Sequence, residues 1–203
     1  VLPEELNMPP LSVTQYLKLM QPFYPRFDNA AFEKHIALFE LPTNKNLNQY
    51  SHGQQKKLML SFGLATNASL LLLDEPTNGL DIPSKALFRR AIAESVNDDR
   101  LVIISTHQLR DVESLLDSLV LLHEGQVLIN CPQSLLQERI HMRHEAMPPN
   151  GSAAPIYQEP GVGGYWSVWP GADDNGHIDL EVLFNAVVAE PQLFAKLLQE
   201  DAA

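Results

Sequence analysis

The sequence predicts an α/β protein, on three observations. Two short apolar runs, LLLLD at 70–74 and LVIIST at 101–106, each end in polar residues, the pattern of strands buried on both faces. Between them, after Pro83, KALFRRAIAESV has the periodicity of a helix. A helix joining two buried strands is a βαβ unit, and such a unit implies a parallel sheet. The text before residue 67 reads as helix, and a small α+β piece follows a Pro/Gly-rich break.

Residues 11–66 carry the helical signals in order. Ser12 followed by Gln15 makes a capping box ahead of TQYLKLM. Pro22 and Pro25 end that helix, and Asp28 caps a second in which Phe32, Ile36 and Phe39 recur at helical spacing. A third helix begins in SHGQQKKLML, 51–60, where Leu58, Phe62 and Ala65 share a face. A hydroxyl, a histidine and a glycine at a helix start can present backbone N–H groups to an anion. Taken alone, the same stretch is equally an ordinary N-cap.

Beyond the second strand, DVESLLDS predicts another helix, and SLVLLHEGQVLI two strands joined at His123-Glu124-Gly125-Gln126. The stretch MPPNGSAAPIYQEPGVGG, 147–164, predicts a linker or a long loop. YWSVW then predicts a strand, with Trp166 and Trp169 on opposite faces, and LEVLFNAVV and PQLFAKLLQ predict short helices. DDNG at 173–176 fits a hydrophilic turn. With Gly176 sixth in a calcium loop, positions one and twelve would be Gly171 and Val182, and neither is a ligand.

Composition narrows the function classes. The 203 residues are 45% hydrophobic, enough to build a core, and suit one domain with an appendage. Fourteen Lys+Arg against 25 Asp+Glu give a formal charge of −11, so no nucleic-acid partner is expected. The single cysteine, Cys131, permits no intrachain disulfide and fits a reducing compartment. No apolar run approaches the roughly 20 residues needed to span a bilayer, so membrane association is expected to go through a partner.

The chemistry falls at the carboxyl ends of the two strands, where parallel α/β sheets bind ligands. The first ends in Asp74-Glu75-Pro76. One carboxylate can hold Mg²⁺, directly or through water, while the next polarises an attacking water. An isolated Asp-Glu pair is otherwise a pair of turn caps. The second strand ends in Ser105-Thr106-His107, and a histidine there can hydrogen-bond a phosphate oxygen or be a satisfied structural residue.

In this order, YSHGQ, LLLLDEPTNGLD and LVIISTH resemble the nucleotide-binding domain of ATP-binding cassette (ABC) ATPases, over residues 1 to about 140. The resemblance implies a partial P-loop NTPase (RecA-like) parallel-sheet core with the ABC α-helical subdomain. Tyr50-Ser51-His52-Gly53-Gln54 matches the signature motif, which clasps nucleotide bound to the opposite subunit. Ser51, His52, Gly53, Gln54 and, in the D-loop Asn78-Gly79-Leu80-Asp81, Asp81 are thereby expected to bind ATP. Asp74 of the Walker B strand is expected at Mg²⁺, Glu75 as catalytic base and His107 as the switch histidine. The segment VLPEE resembles the Q-loop region, with Glu4 in place of the family's glutamine at Mg²⁺. At position 52 the family usually has glycine, and the histidine reads as a mark of an exporter-like branch.

The resemblance further implies an ATP-hydrolysing subunit of an ABC transporter. It would work as a head-to-tail dimer with a second ATPase subunit, at the cytoplasmic face of a membrane, peripheral through a transmembrane permease. The expected organisation is an ABC nucleotide-binding domain at 1–140, with a helical subdomain at 9–66 and the Walker B and switch half of the core at 67–140. A linker at 141–164 and an extension at 165–203 would follow. Two rivals stand beside it: a soluble ABC ATPase in DNA repair or on ribosomes, and a non-catalytic regulatory module. No G-x-x-x-x-G-K-[ST] occurs in the 203 residues, and since the text opens on Val1 in the Q-loop region, truncation is the expected reason.

That loop would supply several backbone N–H donors and a lysine to the phosphates. Losing even three charge-assisted hydrogen bonds, at about 1.5 kcal/mol each, weakens binding roughly 10³-fold. Calorimetric titration of the 203-residue chain with Mg·ATP is expected to show no micromolar binding. Micromolar affinity would put the nucleotide site elsewhere.

Overall fold

The computed structural model describes residues 1–149, 154–173 and 177–198, in two compact units, Val1–Leu115 and Leu116–Ala203. The DDNG turn falls mostly outside the described residues. The first unit opens with α1 (Val13–Met20), whose capping box forms as expected: Gln15 N–H donates to Ser12 Oγ at 3.3 Å and Ser12 N–H to Gln15 Oε1 at 2.9 Å. Pro22 lies in a 3₁₀ turn after it, and Asp28 caps α2 (Asn29–Leu38) by accepting from Ala31 N–H at 3.0 Å.

The third helix, α3 (His52–Ala65), is buried on more than the single expected face, since Leu60, Phe62, Leu64 and Ala65 are all inaccessible. Phe62 stands among the rings of Tyr16, Tyr24 and Phe27, with centroids 5.2–5.6 Å away, within the range of favourable edge and tilted pairs. On another side the helix backbone comes close to the sheet. A Cβ at Gly63 would lie 2.9 Å from a terminal methyl of Leu2, which would have to shift, and 3.4 Å from one of Leu71.

The βαβ unit forms as read: β1 (Leu70–Asp74), α4 (Ile82–Ser95) and β2 (Leu101–Ser105), with the strands parallel and in register from Leu70↔Leu101 to Asp74↔Ser105. Its strands are not buried on both faces, however. Leu71 and Leu73 face the interior, while Leu70, Leu101 and Ile103 are 49–59% exposed, because among the described residues the sheet is covered on one side. Leu2 adds a parallel bridge on the free edge of β1, its N–H donating to Leu72 O at 2.8 Å and its carbonyl accepting from Asp74 N–H at 2.9 Å.

Three other expectations are corrected. DVESLLDS forms no α-helix; 3₁₀ turns at Leu109–Asp111 and Glu113–Leu115 replace it, with Asp111 drawn into an ion pair with Lys85 at 2.6 Å. The hairpin β3 (Ser118–His123) and β4 (Gln126–Pro132) belongs to the second unit, so the division comes at Leu115/Leu116 and not near residue 140. The expected linker is partly sheet. After α5 (Gln133–Arg139), β5 (Ile140–Glu145), β6 (Tyr157–Gly161) and β7 (Gly164–Pro170) form an antiparallel sheet of order β5-β7-β6.

In that sheet Trp166 pairs with His144 and Trp169 with His141, so the two indoles do take opposite faces. Helices α6 (Leu180–Ala189) and α7 (Pro191–Leu197) complete the unit, with Leu183, Val187 and Phe194 fully buried.

One cation ties the start of β1 to two helix ends. Arg100 donates to the carbonyls of Ala68, Leu64 and Ser95 at 3.1–3.4 Å and to Asn67 Oδ1 at 3.0 Å. Leu64 O is among the carbonyls that α3 leaves without an intrahelical partner. Burial lowers the guanidinium below its usual range, with Arg26 adding to the effect, yet leaves it charged. Arg100→Met removes all four bonds and is expected to lower stability by about 2–4 kcal/mol in urea denaturation. An unchanged midpoint would show that solvent replaces them.

Candidate functional site

The parallel register sets the site, because it ends both strands at one level. Asp74 and Ser105 are paired there, and Ser105 Oγ donates to Asp74 Oδ1 at 2.7 Å. One residue on, Glu75 adopts a left-handed backbone with φ +43°, a conformation that costs a non-glycine residue about 1–2 kcal/mol. Its N–H donates to Ser105 O at 2.9 Å. The carboxylate accepts from Thr106 Oγ1 at 2.9 Å and from the backbone N–H of His107 at 3.0 Å. His107 Nδ1 lies 2.7 Å from the same Glu75 oxygen, with Glu75 mostly covered and His107 largely open. The two residues assigned to catalysis therefore touch.

Glu4 arrives beside them through the Leu2 bridge to β1. Its carboxylate accepts from Asn78 Nδ2 at 2.6 Å, and Asn78 Oδ1 in turn has a long, 3.5 Å contact from Gln108 Nε2. Gln108 accepts from Lys85 Nζ at 2.8 Å, and Lys85 also holds Asp111. Asn78 and Gln108 thus connect the segment before β1, the turn after it and the segment after β2.

The 51–54 turn lies on the other side of the Asn78–Asp81 turn. Ser51 caps α3 in a full capping box, Gln54 N–H donating to Ser51 Oγ at 3.3 Å and Ser51 N–H to Gln54 Oε1 at 3.1 Å. Lys45 reaches Gln54 Oε1 at 3.2 Å while lying 5.3 Å from the Tyr50 ring centre, and Tyr50 OH donates to the Pro42 carbonyl. An open cleft of about 450 Å³ adjoins the turn, lined by Ser51, His52, Gly53, Lys57, Gly79 and Asp81 among others.

His52 packs on Gly79. That glycine has φ +76°, which favours glycine, and a Cβ on it would lie 2.9 Å from His52 Cδ2 and push the exposed ring aside. Gly53 is less constrained, since an added Cβ would meet only ordinary contacts at 3.5–3.6 Å. Asp81 caps α4, accepting from Ser84 N–H at 2.8 Å, and the hydrogen bonds from Ser84 hold its carboxyl below the usual range.

All nine expected site residues lie in the first unit, in two groups on either side of the Asn78–Asp81 turn. Sequence reasoning missed Lys56, which is only 6% exposed and donates from Nζ to Glu75 O at 2.6 Å. Burial lowers its ammonium below the usual lysine range, and the carboxylates of Glu4, Glu75 and Asp74 oppose that shift. A signal was available: Lys56 shares a helical face with Leu60 and Gly63, where a solvated lysine is out of place.

The donor chemistry at the strand ends suits a hard cation. Asp74 and Glu75 offer carboxylate oxygens, which fit Mg²⁺ when phosphate and water complete its sphere. Among the described residues no group of three or more His, Cys, Asp or Glu could hold a metal without such help.

Residues 16–78 match the ABC transporter family. The ABC transporter ATP-binding protein NatA of Bacillus subtilis strain 168 is 32% identical over 85 residues, 42% of this chain and 35% of that protein. The ribose import ATP-binding protein RbsA of Jannaschia sp. strain CCS1 is 27% identical over 146 residues, 70% of this chain and 28% of that one. This chain thus spans about a third of the length of the curated relatives it matches. A solved ATP-binding subunit of an ABC transporter superposes with a TM-score of 0.55 at 25% identity, covering 67% of this chain and 57% of that one. Residues 16–78 thus match the ABC transporter family, and the α/β fold around them is similar to that of a solved ABC ATP-binding subunit.

Proposed function

We propose that the whole protein is the ATP-hydrolysing subunit of an ABC transporter, acting as a head-to-tail dimer on a transmembrane permease at the cytoplasmic face of the membrane. The observation that carries this reading is the contact of Glu75 with His107 at the shared end of two parallel strands, inside a chain that matches the family. Export is the direction we assign, on the His52 variant of the signature turn. A protein named for import is among the similar chains, so the direction rests on His52 and not on the comparisons.

In this reading Glu75 is the general base. Its Oε1 is held by His107, and the remaining lone pairs of the carboxylate are available to orient and polarise a water. Mg²⁺, when bound with ATP, neutralises phosphate charge beside Asp74 and Glu75. His107, largely open to solvent, donates from Nε2 to a phosphate oxygen when the ring carries both protons, Nδ1–H staying on Glu75. Glu4, with one carboxylate oxygen already taken by Asn78, has the other free for a water of the metal. Ser51, Gly53, Gln54 and the first N–H groups of α3 face nucleotide carried by the second subunit, with His52 and Asp81 at the edges of that cleft.

Glu75→Gln in the whole protein is expected to lower ATP turnover roughly 10²–10⁴-fold and to leave ATP binding intact. Normal turnover by that variant would remove Glu75 from the mechanism. Gly53→Asp tests the second surface. The fold has room for its Cβ, so the added charge acts on a partner's phosphate and not on this chain's own packing. ATP-driven dimerisation, followed by light scattering, is expected to be lost while ATP binding to the single subunit persists. Dimerisation at the wild-type ATP concentration would rule out the assignment of the 51–54 turn.

A further inference from the structure

Glu75 must hold a costly backbone conformation for its carboxylate to reach the site, and bonds from the β2 end, from its own turn and from α3 fix it. Ser105 O takes its N–H, and Thr106 and His107 take its carboxylate, all from β2 or the segment after it. Within the turn Asn78 N–H donates to the Glu75 carbonyl at 3.2 Å, and from α3 Lys56 donates to the same oxygen at 2.6 Å. We propose that Lys56 is a positioning residue for the reaction, setting the orientation of the Glu75 peptide from the helix that also presents the Ser51–Gln54 turn. The proposal rests on Glu75 acting as the base.

The geometry leaves Lys56 little other purpose. A lysine placed for solubility would keep its ammonium in water, whereas this one is buried to 6% exposure. It does not form a close ion pair with a carboxylate; Glu4, Asp74 and Glu75 act on it only through space, and its hydrogen bond goes to a main-chain oxygen. The Glu75 carbonyl already accepts from Asn78 N–H at 3.2 Å, which closes the turn, so the buried ammonium adds a second, charge-assisted bond that ties the same oxygen to α3. The connection is also stiff. Lys56 lies five residues into α3, about 7–8 Å along the axis from the Ser51 cap, and a capped helix transmits displacement over that distance. A shift of the 51–54 turn against a ligand therefore reaches the Glu75 peptide.

The test compares Lys56→Met, which keeps the apolar stem and removes the donor, with Lys56→Arg, which keeps a charged donor. In the whole protein Lys56→Met is expected to lower kcat roughly 10–100-fold with less than about a threefold change in ATP affinity, and Lys56→Arg to recover most of the loss. In the 203-residue chain, hydrogen exchange at the Glu75 amide is expected to quicken about tenfold or more in Lys56→Met, while the amides of Leu71 and Leu73 keep their protection. Uniform loss of protection across β1 and α3, with kcat and affinity falling together, would make Lys56 a packing residue and overturn the proposal. So would an unchanged kcat in Lys56→Met beside a silenced Glu75→Gln. Normal turnover by Glu75→Gln is a different result, since it would remove the base on which the proposal rests.

Discussion

The parallel pairing of Leu70–Asp74 with Leu101–Ser105 governs everything around it. Parallel strands finish at the same end of the sheet, and the Asp74↔Ser105 register finishes them at the same level. That alone brings residues separated by thirty or more positions in sequence, Glu75 and His107, to hydrogen-bonding distance. A slip of one residue would turn Leu71 and Leu73 outward and part the two side chains, so burial of the sheet's inner face and assembly of the site are one constraint. Leu2, bridged to the other edge of β1, brings Glu4 under the same rule.

The turn at Asn78–Asp81 acts as a hub. On one side Gly79 accepts the His52 ring, on another Asn78 holds Glu4 and meets Gln108, and at its end Asp81 starts α4. Few turns of this length touch so many segments. Its glycine is favoured by φ, and the His52 ring rests where a side chain at 79 would begin.

Local chemistry was legible in the sequence, and long-range cover was not. The Ser12–Gln15 capping box and the N-cap at the start of α3 could be read because each depends on residues close in sequence. The two core strands and the helix between them announced themselves by apolar runs. DVESLLDS has helical periodicity but too little length before β3, and Asp111 is pulled out of it by Lys85 on α4. β6 escaped because YQEPG contains Pro160. It is an edge strand, where a proline's missing N–H disrupts no inner ladder, and composition alone makes such a strand look like loop. β5 carries only Ile140 and Met142 as buried apolar positions, too few for alternation to stand out. At the site, Asp74, Glu75 and His107 were readable as a motif. Lys56 was hidden in a helix read for its apolar face, since its partner is a main-chain atom that no sequence pattern marks.

The left-handed turn at Glu75 has an evolutionary side. Glycine, or more modestly asparagine, adopts that conformation more readily than glutamate, so on stability alone neutral drift at position 75 runs away from the carboxylate. A lineage that lost it would relax the backbone of the strand end and give up the hydrogen bonds that Thr106 and His107 make to the carboxylate. The same physics makes the residue a sensitive marker. Where glutamate persists on such a backbone, what its side chain bonds or does is the force that opposes the drift.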